Sequence, residues 1–234
     1  MIKEEFERSA LLLGDDGIKR LGAATVAVFG IGGVGGHAAE ALARCGVGKL
    51  VLVDGDTVAH SNINRQTIAT HSTLGMQKTE AARLRLSDIS PECNIITHPT
   101  VYSESTRDEF DFSGYDYIVD AIDDIPAKID IIARATECGV PIISAMGAGN
   151  KLDPTRFRVS DISKTAVCPL ARVVRTKLRA IGINHLKVVY SDEPPVRQRL
   201  AGEPVGSVSF VPSVMGLIIA GEVIKDISEM RVKS

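Results

Sequence analysis

Apolar and polar positions follow two periodicities along the first 150 residues. Short apolar runs rich in β-branched residues predict buried strands, and they lie at 24–30, 49–54, 94–102, 115–123 and 141–149. Longer segments with apolar positions at helical spacing predict helices, and they lie at 5–21, 34–45, 78–90 and 125–139. Because strands and helices alternate, we expect an α/β fold with a doubly wound, mostly parallel, Rossmann-like sheet.

The pattern changes near Asn150, after which the alternation weakens and the chain becomes locally basic. We therefore divide the chain into a domain at 1–150 and a smaller C-terminal extension of the same fold at 151–234. The extension ends in an apolar helix that we predict from about Ser213. Its apolar run contains Pro212 and is too short to span a bilayer, so we expect this helix in the core or in a subunit interface.

The composition is typical of a globular protein and argues against a disulfide-stabilised or zinc-binding one. The chain has 234 residues, a net charge of −2 and 44% hydrophobic residues, as expected for a globular domain that folds without disulfides or metals. Its four cysteines form no C-x-x-C pair, which argues against a zinc ribbon and against a secreted disulfide framework. The N-terminus lacks the pattern of a signal peptide. We therefore expect a cytoplasmic protein that contacts no membrane.

A glycine-rich turn follows the first predicted strand. Gly30 permits the tight turn, Gly32 lets the backbone approach a phosphate, and Gly35 lets the next helix pack closely on the strand. The helix N-terminus attracts an anion, and Asp54, at the end of the second strand, can accept hydrogen bonds from a ribose. This motif alone favours a nicotinamide dehydrogenase, but it suits any adenine nucleotide.

The next polar residues favour a nucleoside triphosphate instead. Asp56 follows Asp54, and the segment HSNINRQ then supplies Asn62 and the planar donor fork of Arg65. Lys78 opens the following helix and provides a mobile positive charge. Asp123, where the fourth strand ends, is placed to hold Mg²⁺ between phosphates.

These motifs together resemble the adenylating domain of the ubiquitin-activating-enzyme superfamily, which includes the ThiF and MoeB adenylyltransferases. The resemblance rests on G-x-G-G-x-G, D-x-D, S-N-x-x-R-Q, a helix-opening lysine and a strand-ending D-D, over roughly residues 5–150. It implies carboxylate activation as an acyl-adenylate, an ATP-binding domain at 1–150, and a homodimer in which Arg8 reaches the partner subunit's site. It also implies ATP and Mg²⁺ as cofactors, held by Gly33, Asp54, Asp56, Asn62, Arg65, Lys78 and Asp123.

The C-terminal part resembles one subfamily, the tRNA threonylcarbamoyladenosine dehydratases. The similar segments are DISKTAVCPLARVVRTKLRAIGI, KVVYSDEPP and GSVSFVPSVMGLIIAGEVI. The resemblance implies that ATP activates the threonyl carboxylate of threonylcarbamoyladenosine in tRNA. The carbamoyl nitrogen or oxygen of the same modification then closes a ring, with net loss of water. Because the attacking group is tethered to the adenylate, the ring can close without a nucleophilic side chain of the enzyme.

Two other functions remain open at this point. The first is an adenylyltransferase that activates the C-terminus of a ubiquitin-like sulfur-carrier protein, although such enzymes usually carry the zinc cysteine pairs that are absent here. The second is a non-catalytic nucleotide sensor or scaffold, which the set of Arg65, Lys78 and Asp123 disfavours. A sulfur-transfer protein is a further candidate partner.

A basic helix is the predicted contact for tRNA. From Lys164 to Lys187 the chain has six Lys or Arg and no Asp or Glu. Arg172, Arg175 and Arg179 lie three and four positions apart and form one face, which fits a phosphate backbone, although a solvated helix face explains the pattern equally well. The apolar face is expected at Leu170, Val173, Val174, Leu178 and Ile181. Cys168 precedes this helix, and we interpret it as a small helix-flanking residue and not as a nucleophile.

Overall fold

A computed structural model describes residues 2–197 and 202–229 of the chain. In this part a single seven-stranded sheet has the order β3-β2-β1-β4-β5-β7-β6. The strands are β1 Thr25–Phe29, β2 Lys49–Val53, β3 Asn94–His98, β4 Tyr117–Asp120, β5 Ile142–Ala145, β6 Phe157–Asp161 and β7 Lys187–Ser191. Neighbouring strands pair in parallel except β6 and β7, which are antiparallel. The sequence-based expectation of a doubly wound, mostly parallel α/β sheet is confirmed.

Six α-helices accompany the sheet within the described residues. They are α1 Glu7–Ala23, α2 Gly35–Arg44, α3 Lys78–Ile89, α4 Ile125–Glu137, α5 Pro169–Ala180 and α6 Phe210–Ile227. Helix α1 is interrupted at Gly14, where the backbone leaves the helical region. Helix α6 begins a few residues before the predicted Ser213, because Pro212 lies in its first turn, where the missing N–H costs no helical hydrogen bond.

The core occupies both faces of the sheet, because alternate residues of each strand point to opposite sides. Val26 and Val28 of β1 pack with α2 and α6 on one face. Ala27 and Phe29 pack on the other face with α4 and an aromatic group that includes Phe110. The helix predicted near Ser213 is therefore part of the core. None of the helices in residues 2–197 and 202–229 is long and apolar enough to cross a membrane.

Strand order determines where a ligand can bind. β1 lies between β2 and β4. From β1 the chain first adds β2 and β3 on one side, and it then crosses to the other side of β1 to add β4 and β5. At such a switch point the loops after the strands diverge and leave a crevice at the carboxyl ends.

The C-terminal residues complete the same sheet. Strands β6 and β7, which the sequence pattern did not predict, extend it beyond β5. Only Phe157 of β6 is buried, so this strand shows no apolar run, and the apolar run of β7 is limited to Val188, Val189 and Tyr190. The division into 1–150 and 151–234 stays a prediction, with one sheet running across it; residues 198–201 and 230–234 of the second part lie outside the described residues.

Candidate functional site

A cavity of about 450 Å³ opens at the carboxyl ends of β1, β2 and β4. Its volume is typical of sites for small molecules. Nine of the residues singled out from the sequence line it, namely Gly30, Gly32, Gly33, Asp54, Asp56, Asn62, Arg65, Lys78 and Asp123. The fold thus brings together side chains that lie up to 93 residues apart in the sequence.

The glycine-rich turn joins β1 to α2 at very close range. Gly30 has φ +88°, a left-handed conformation that favours glycine, and its N–H donates to Val53 O at 2.8 Å. A Cβ on Gly35 would lie 1.8 Å from Gly30 O, so only glycine allows this approach. Gly35 therefore shapes the cavity without lining it. The N-terminus of α2 begins at the cavity, where its N–H groups and dipole favour an anion.

Two aspartates after β2 form the acidic side of the cavity. Asp54 Oδ2 accepts the Ile31 N–H at 2.7 Å, and Oδ1 accepts the Asp56 N–H at 2.9 Å. Burial raises the pKa of Asp54, while the nearby Lys78 ammonium opposes that shift. The two backbone bonds fix the carboxylate in one orientation and leave its remaining lone pairs as acceptors for a ligand.

Lys78 is held firmly at the start of α3. Its Nζ lies 2.6 Å from Asp56 Oδ2 and 3.9 Å from Asp54 Oδ1, and its side chain is 8% exposed. The sequence suggested a mobile charge at this position, and the structure corrects that view, because burial and the Asp56 ion pair restrain the ammonium. The charge itself faces the cavity.

The HSNINRQ segment forms a turn along the next wall. Asn62 Oδ1 accepts the Ala59 N–H at 3.0 Å, so the donor capacity of this side chain lies on Nδ2. Arg65 is half-buried, and its Nη1 donates to Ser61 O at 2.7 Å and Asn64 Oδ1 at 2.9 Å. These bonds restrain the guanidinium, and a Cβ on Gly33 would lie 3.4 Å from Arg65 Cγ, so the stem of Arg65 packs close to the glycine turn.

Gln66 is a cavity residue that we had not assigned to the site. It is 7% exposed, and its Oε1 is buried without a hydrogen-bond donor among the described residues. Buried polar atoms normally have a partner, so this oxygen fits a donor supplied by a ligand. The signal was present in the sequence, since Gln66 directly follows Arg65 in the quoted motif.

The end of β4 contributes carboxylates with different roles. Asp123 is exposed and lines the cavity. Asp124 caps α4, since its Oδ1 accepts the Ala127 N–H at 2.9 Å. Below them, Asp120 is fully buried against Lys128, with Nζ 2.7 Å from Oδ2. Asp123 and Asp124 both line the cavity, but one carboxylate oxygen of Asp124 is engaged in the helix cap.

The donor set also bears on a metal ion. Among the described residues, no three His, Cys, Asp or Glu side chains lie together as a metal site. Mg²⁺ is commonly held by one or two carboxylates together with substrate phosphates and water. Of the exposed carboxylates that line the cavity, Asp56 is paired with Lys78 and Asp124 caps α4, so Asp123, beside the anion-binding helix terminus, fits that mode of binding.

The far wall comes from the segment before α6. Val205, Ser207 and Pro212 line the cavity. Asn150 holds this segment in place, because its N–H donates to Gly206 O at 2.8 Å and its Oδ1 accepts the Gly206 N–H at 2.9 Å. Ser207 and Pro212 belong to the quoted segment GSVSFVPSVMGLIIAGEVI, but nothing in that segment indicates a contact with the nucleotide cavity, and only the fold brings these residues there.

The other sequence-based candidates lie outside this cavity. Arg8 is exposed on α1, away from the cavity lining in the described part of the chain. Arg172 and Arg179 are exposed on α5. Arg175 is half-buried, and its Nη1 donates to Thr165 O at 2.9 Å and Thr165 Oγ1 at 2.6 Å. At least this nitrogen of Arg175 is thus engaged within the protein.

The expected apolar face of α5 was partly wrong. The buried residues are Ala171, Val174 and Leu178, at the three- and four-residue spacing of one helix face. Val173 is 40% exposed and Ile181 53% exposed. Cys168 is the N-cap residue of α5 and is 4% exposed, as a small helix-flanking residue would be.

Comparisons with known proteins agree with this geometry. The profile of the ThiF family matches residues 6–233. The tRNA threonylcarbamoyladenosine dehydratase of Bacillus subtilis is 45% identical over 249 residues, covering 98% of each chain. The E. coli tRNA N6-threonylcarbamoyladenosine dehydratase TcdA in complex with AMP is similar in structure, with a TM-score of 0.90 and 30% identity over 100% of this chain and 99% of that chain. Its complex with ATP gives a TM-score of 0.90 and 31% identity, covering 98% and 97%.

Proposed function

The chain belongs to the ThiF family, and from this premise we propose that it is an ATP-dependent tRNA threonylcarbamoyladenosine dehydratase. The observation that carries the proposal is the convergence of Asp54, Asn62, Arg65, Lys78 and Asp123 on one cavity. The similarity to the Bacillus subtilis dehydratase over 98% of each chain supports this substrate over a sulfur-carrier protein.

We propose that different cavity residues bind the ribose, the phosphates and the metal ion of ATP. Two backbone N–H groups hold the Asp54 carboxylate in one orientation. Its remaining lone pairs accept hydrogen bonds from the ribose hydroxyls. The N-terminus of α2 and the cations of Arg65 and Lys78 bind the phosphates. Asp123 would hold Mg²⁺, which supplies positive charge to the phosphates when it is bound.

The proposed reaction has two steps. The threonyl carboxylate attacks the α-phosphorus of ATP, which forms the acyl-adenylate and releases pyrophosphate. The carbamoyl nitrogen or oxygen of the same nucleoside then attacks the activated carbonyl carbon and loses its proton to solvent, and AMP leaves with one former carboxylate oxygen. The nucleoside loses one water in total. The enzyme's contribution is to neutralise charge on the phosphates and to hold the tethered nucleophile near the adenylate.

The proposed homodimer would complete the cavity with an arginine. Arg8 lies on the first part of α1, beside Leu11 and Leu12, which are 86% and 76% exposed. Neighbouring leucines exposed to this degree favour an interface. We propose that a second copy covers them, and that Arg8 then reaches the partner's phosphate site.

The proposed tRNA contact is the basic face of α5, at Arg172, Arg175 and Arg179. Arg172 and Arg179 are exposed, and the helix lies in a segment of chain without acidic residues. Such a face favours a polyanion. The association with a sulfur-transfer protein stays a prediction.

Mass spectrometry of nucleosides tests the proposed function. Purified protein is incubated with ATP, Mg²⁺ and tRNA that carries threonylcarbamoyladenosine, and the nucleosides are recovered under conditions that preserve the ring. The expected product has lost one water, with one pyrophosphate released per ring. Arg83→Ala, which alters an arginine paired with Glu80 on the surface of α3, serves as the control variant. An unchanged nucleoside together with an adenylated sulfur-carrier protein would assign the enzyme to the alternative reaction.

A further inference from the structure

A second concave surface lies beside the N-terminal half of α5. This surface, the α5 groove, has a volume of about 740 Å³ and is lined by residues 165–169, 172–173 and 175–177. It shares no lining residue with the nucleotide cavity in the described part of the chain.

The α5 groove combines apolar walls with positive charge. Val167 is 55% exposed and Val173 is 40% exposed, although both are β-branched apolar residues. Arg172 and Lys177 add cations, and the described lining residues include no Asp or Glu. The ligand that matches this surface has a flat apolar part and a negative charge. A nucleotide of single-stranded RNA has both, in its base and its phosphate.

The loop that forms one wall is held in an unusual conformation. The Cys168 N–H donates to Ala166 O at 2.7 Å, which closes a three-residue turn with Val167 at φ +67°. A β-branched residue rarely adopts a positive φ. Arg175 restrains the preceding residues through its bonds to Thr165 O and Ile162 O. The loop therefore projects the Val167 side chain to the groove at a cost in backbone strain.

The α5 groove lies close to the nucleotide cavity. A Cβ on Gly147 would be 3.5 Å from Cys168 Sγ and 3.9 Å from Leu170 Cβ. The next two residues, Ala148 and Gly149, line the nucleotide cavity. One short segment after β5 thus separates the two concave surfaces.

We propose that the α5 groove binds the base of an unpaired tRNA nucleotide next to the modified adenosine. Val167 and Val173 contact the base, and Arg172 and Lys177 contact the adjoining phosphates. This inference rests on the proposed function, since it places a neighbouring nucleotide while the modified one occupies the region of the adenylate. Binding of a base outside the cavity would orient the tRNA and bring the threonyl carboxylate to ATP.

Val167→Gly separates a binding role from a structural one. Glycine suits the positive φ, so the variant should keep or raise the midpoint of thermal unfolding. It also removes the aliphatic side chain that would cover the base, so its affinity for RNA should fall by about tenfold. Val196→Gly is the matched control, because Val196 is 57% exposed in a loop outside the groove. Its affinity should equal that of the unchanged protein.

The experiment measures binding by fluorescence anisotropy with a fluorescent RNA hairpin whose loop contains the modified adenosine. A second set of hairpins each lacks one base beside that adenosine. The unchanged protein should lose affinity for one of these abasic hairpins, whereas Val167→Gly should lose no further affinity for it. Such coupling identifies a direct contact between the base and the groove.

Three results would overturn the inference. In the first, Val167→Gly binds the complete hairpin as well as the unchanged protein does. In the second, abasic sites weaken both proteins equally. In the third, poly-glutamate displaces the hairpin from the unchanged protein but not from the variant, which would assign the groove to an acidic protein segment. If one of these results is obtained while the unchanged protein still dehydrates the nucleoside, only the inference about the α5 groove fails. If the unchanged protein neither dehydrates the nucleoside nor binds the hairpin, the proposed function fails as well.

Discussion

Replacing Lys128 with methionine should test how much the buried ion pair of Lys128 and Asp120, at the end of β4, contributes to the free energy of unfolding. Lys128 and Asp120 are both fully buried. The Lys128 Nζ donates to Asp120 Oδ2 at 2.7 Å, to Ala145 O at 3.1 Å and to Ser144 Oγ at 3.3 Å. Lys128→Met keeps much of the side-chain volume but leaves a carboxylate buried without its cation. Breaking one half of a buried ion pair costs about 3–5 kcal/mol of unfolding free energy.

Urea unfolding measures this loss in the Lys128→Met variant and in the double variant Lys128→Met with Asp120→Asn. The double variant removes the unpaired charge, so its loss should be less than half that of the single variant. Lys19→Met, at an exposed ion pair with Asp16, should leave stability nearly unchanged.

Two results would refute this reasoning. If Lys128→Met is as stable as the unchanged protein, the buried pair contributes nothing. If the double variant is no more stable than the single variant, the loss arises from packing and not from charge.

Other variants test the proposed roles of the cavity. Arg65→Ala should reduce turnover by roughly 10³-fold or more, as for other arginines directed at phosphate, while Arg83→Ala retains activity. Asp123→Ala should weaken the dependence of turnover on Mg²⁺ with an unchanged thermal midpoint; unaltered Mg²⁺ titration curves would count against its metal role. Mixing Arg8→Ala with Arg65→Ala subunits should restore part of the activity if Arg8 acts across a dimer, and no recovery after confirmed subunit exchange would contradict this. Cys168→Ala should still cyclise the nucleoside in the mass-spectrometry assay, and complete loss in a folded variant would indicate a covalent step.

The sequence by itself determined the fold class and most of the cavity. Strong apolar runs and helical periodicity predicted β1 to β5 and the helices between them, because buried strands and amphipathic helices differ in period. The glycine turn, Asp54 and the S-N-x-x-R-Q segment could be identified from local chemistry alone. Asp54 follows a strand and the glycine turn opens a helix, and such positions meet at the carboxyl edge of a parallel sheet. Asn62 and Arg65 lie in a turn that the fold brings to the same edge.

Only the tertiary structure decided which residues complete that site. Strand β7 pairs with β5, and β6 lies beyond it, although their apolar patterns are too weak to predict this. Val205, Ser207 and Pro212 reach the cavity through the Asn150–Gly206 hydrogen bonds, which join segments 56 residues apart. The physical reason is that a contact between distant segments depends on the packing of the whole chain, whereas periodicity records only the environment of each segment. The restraint on Lys78 and the buried Lys128 pair are consequences of that packing, whereas the cap formed by Asp124 is a local bond to an N–H three residues along the chain.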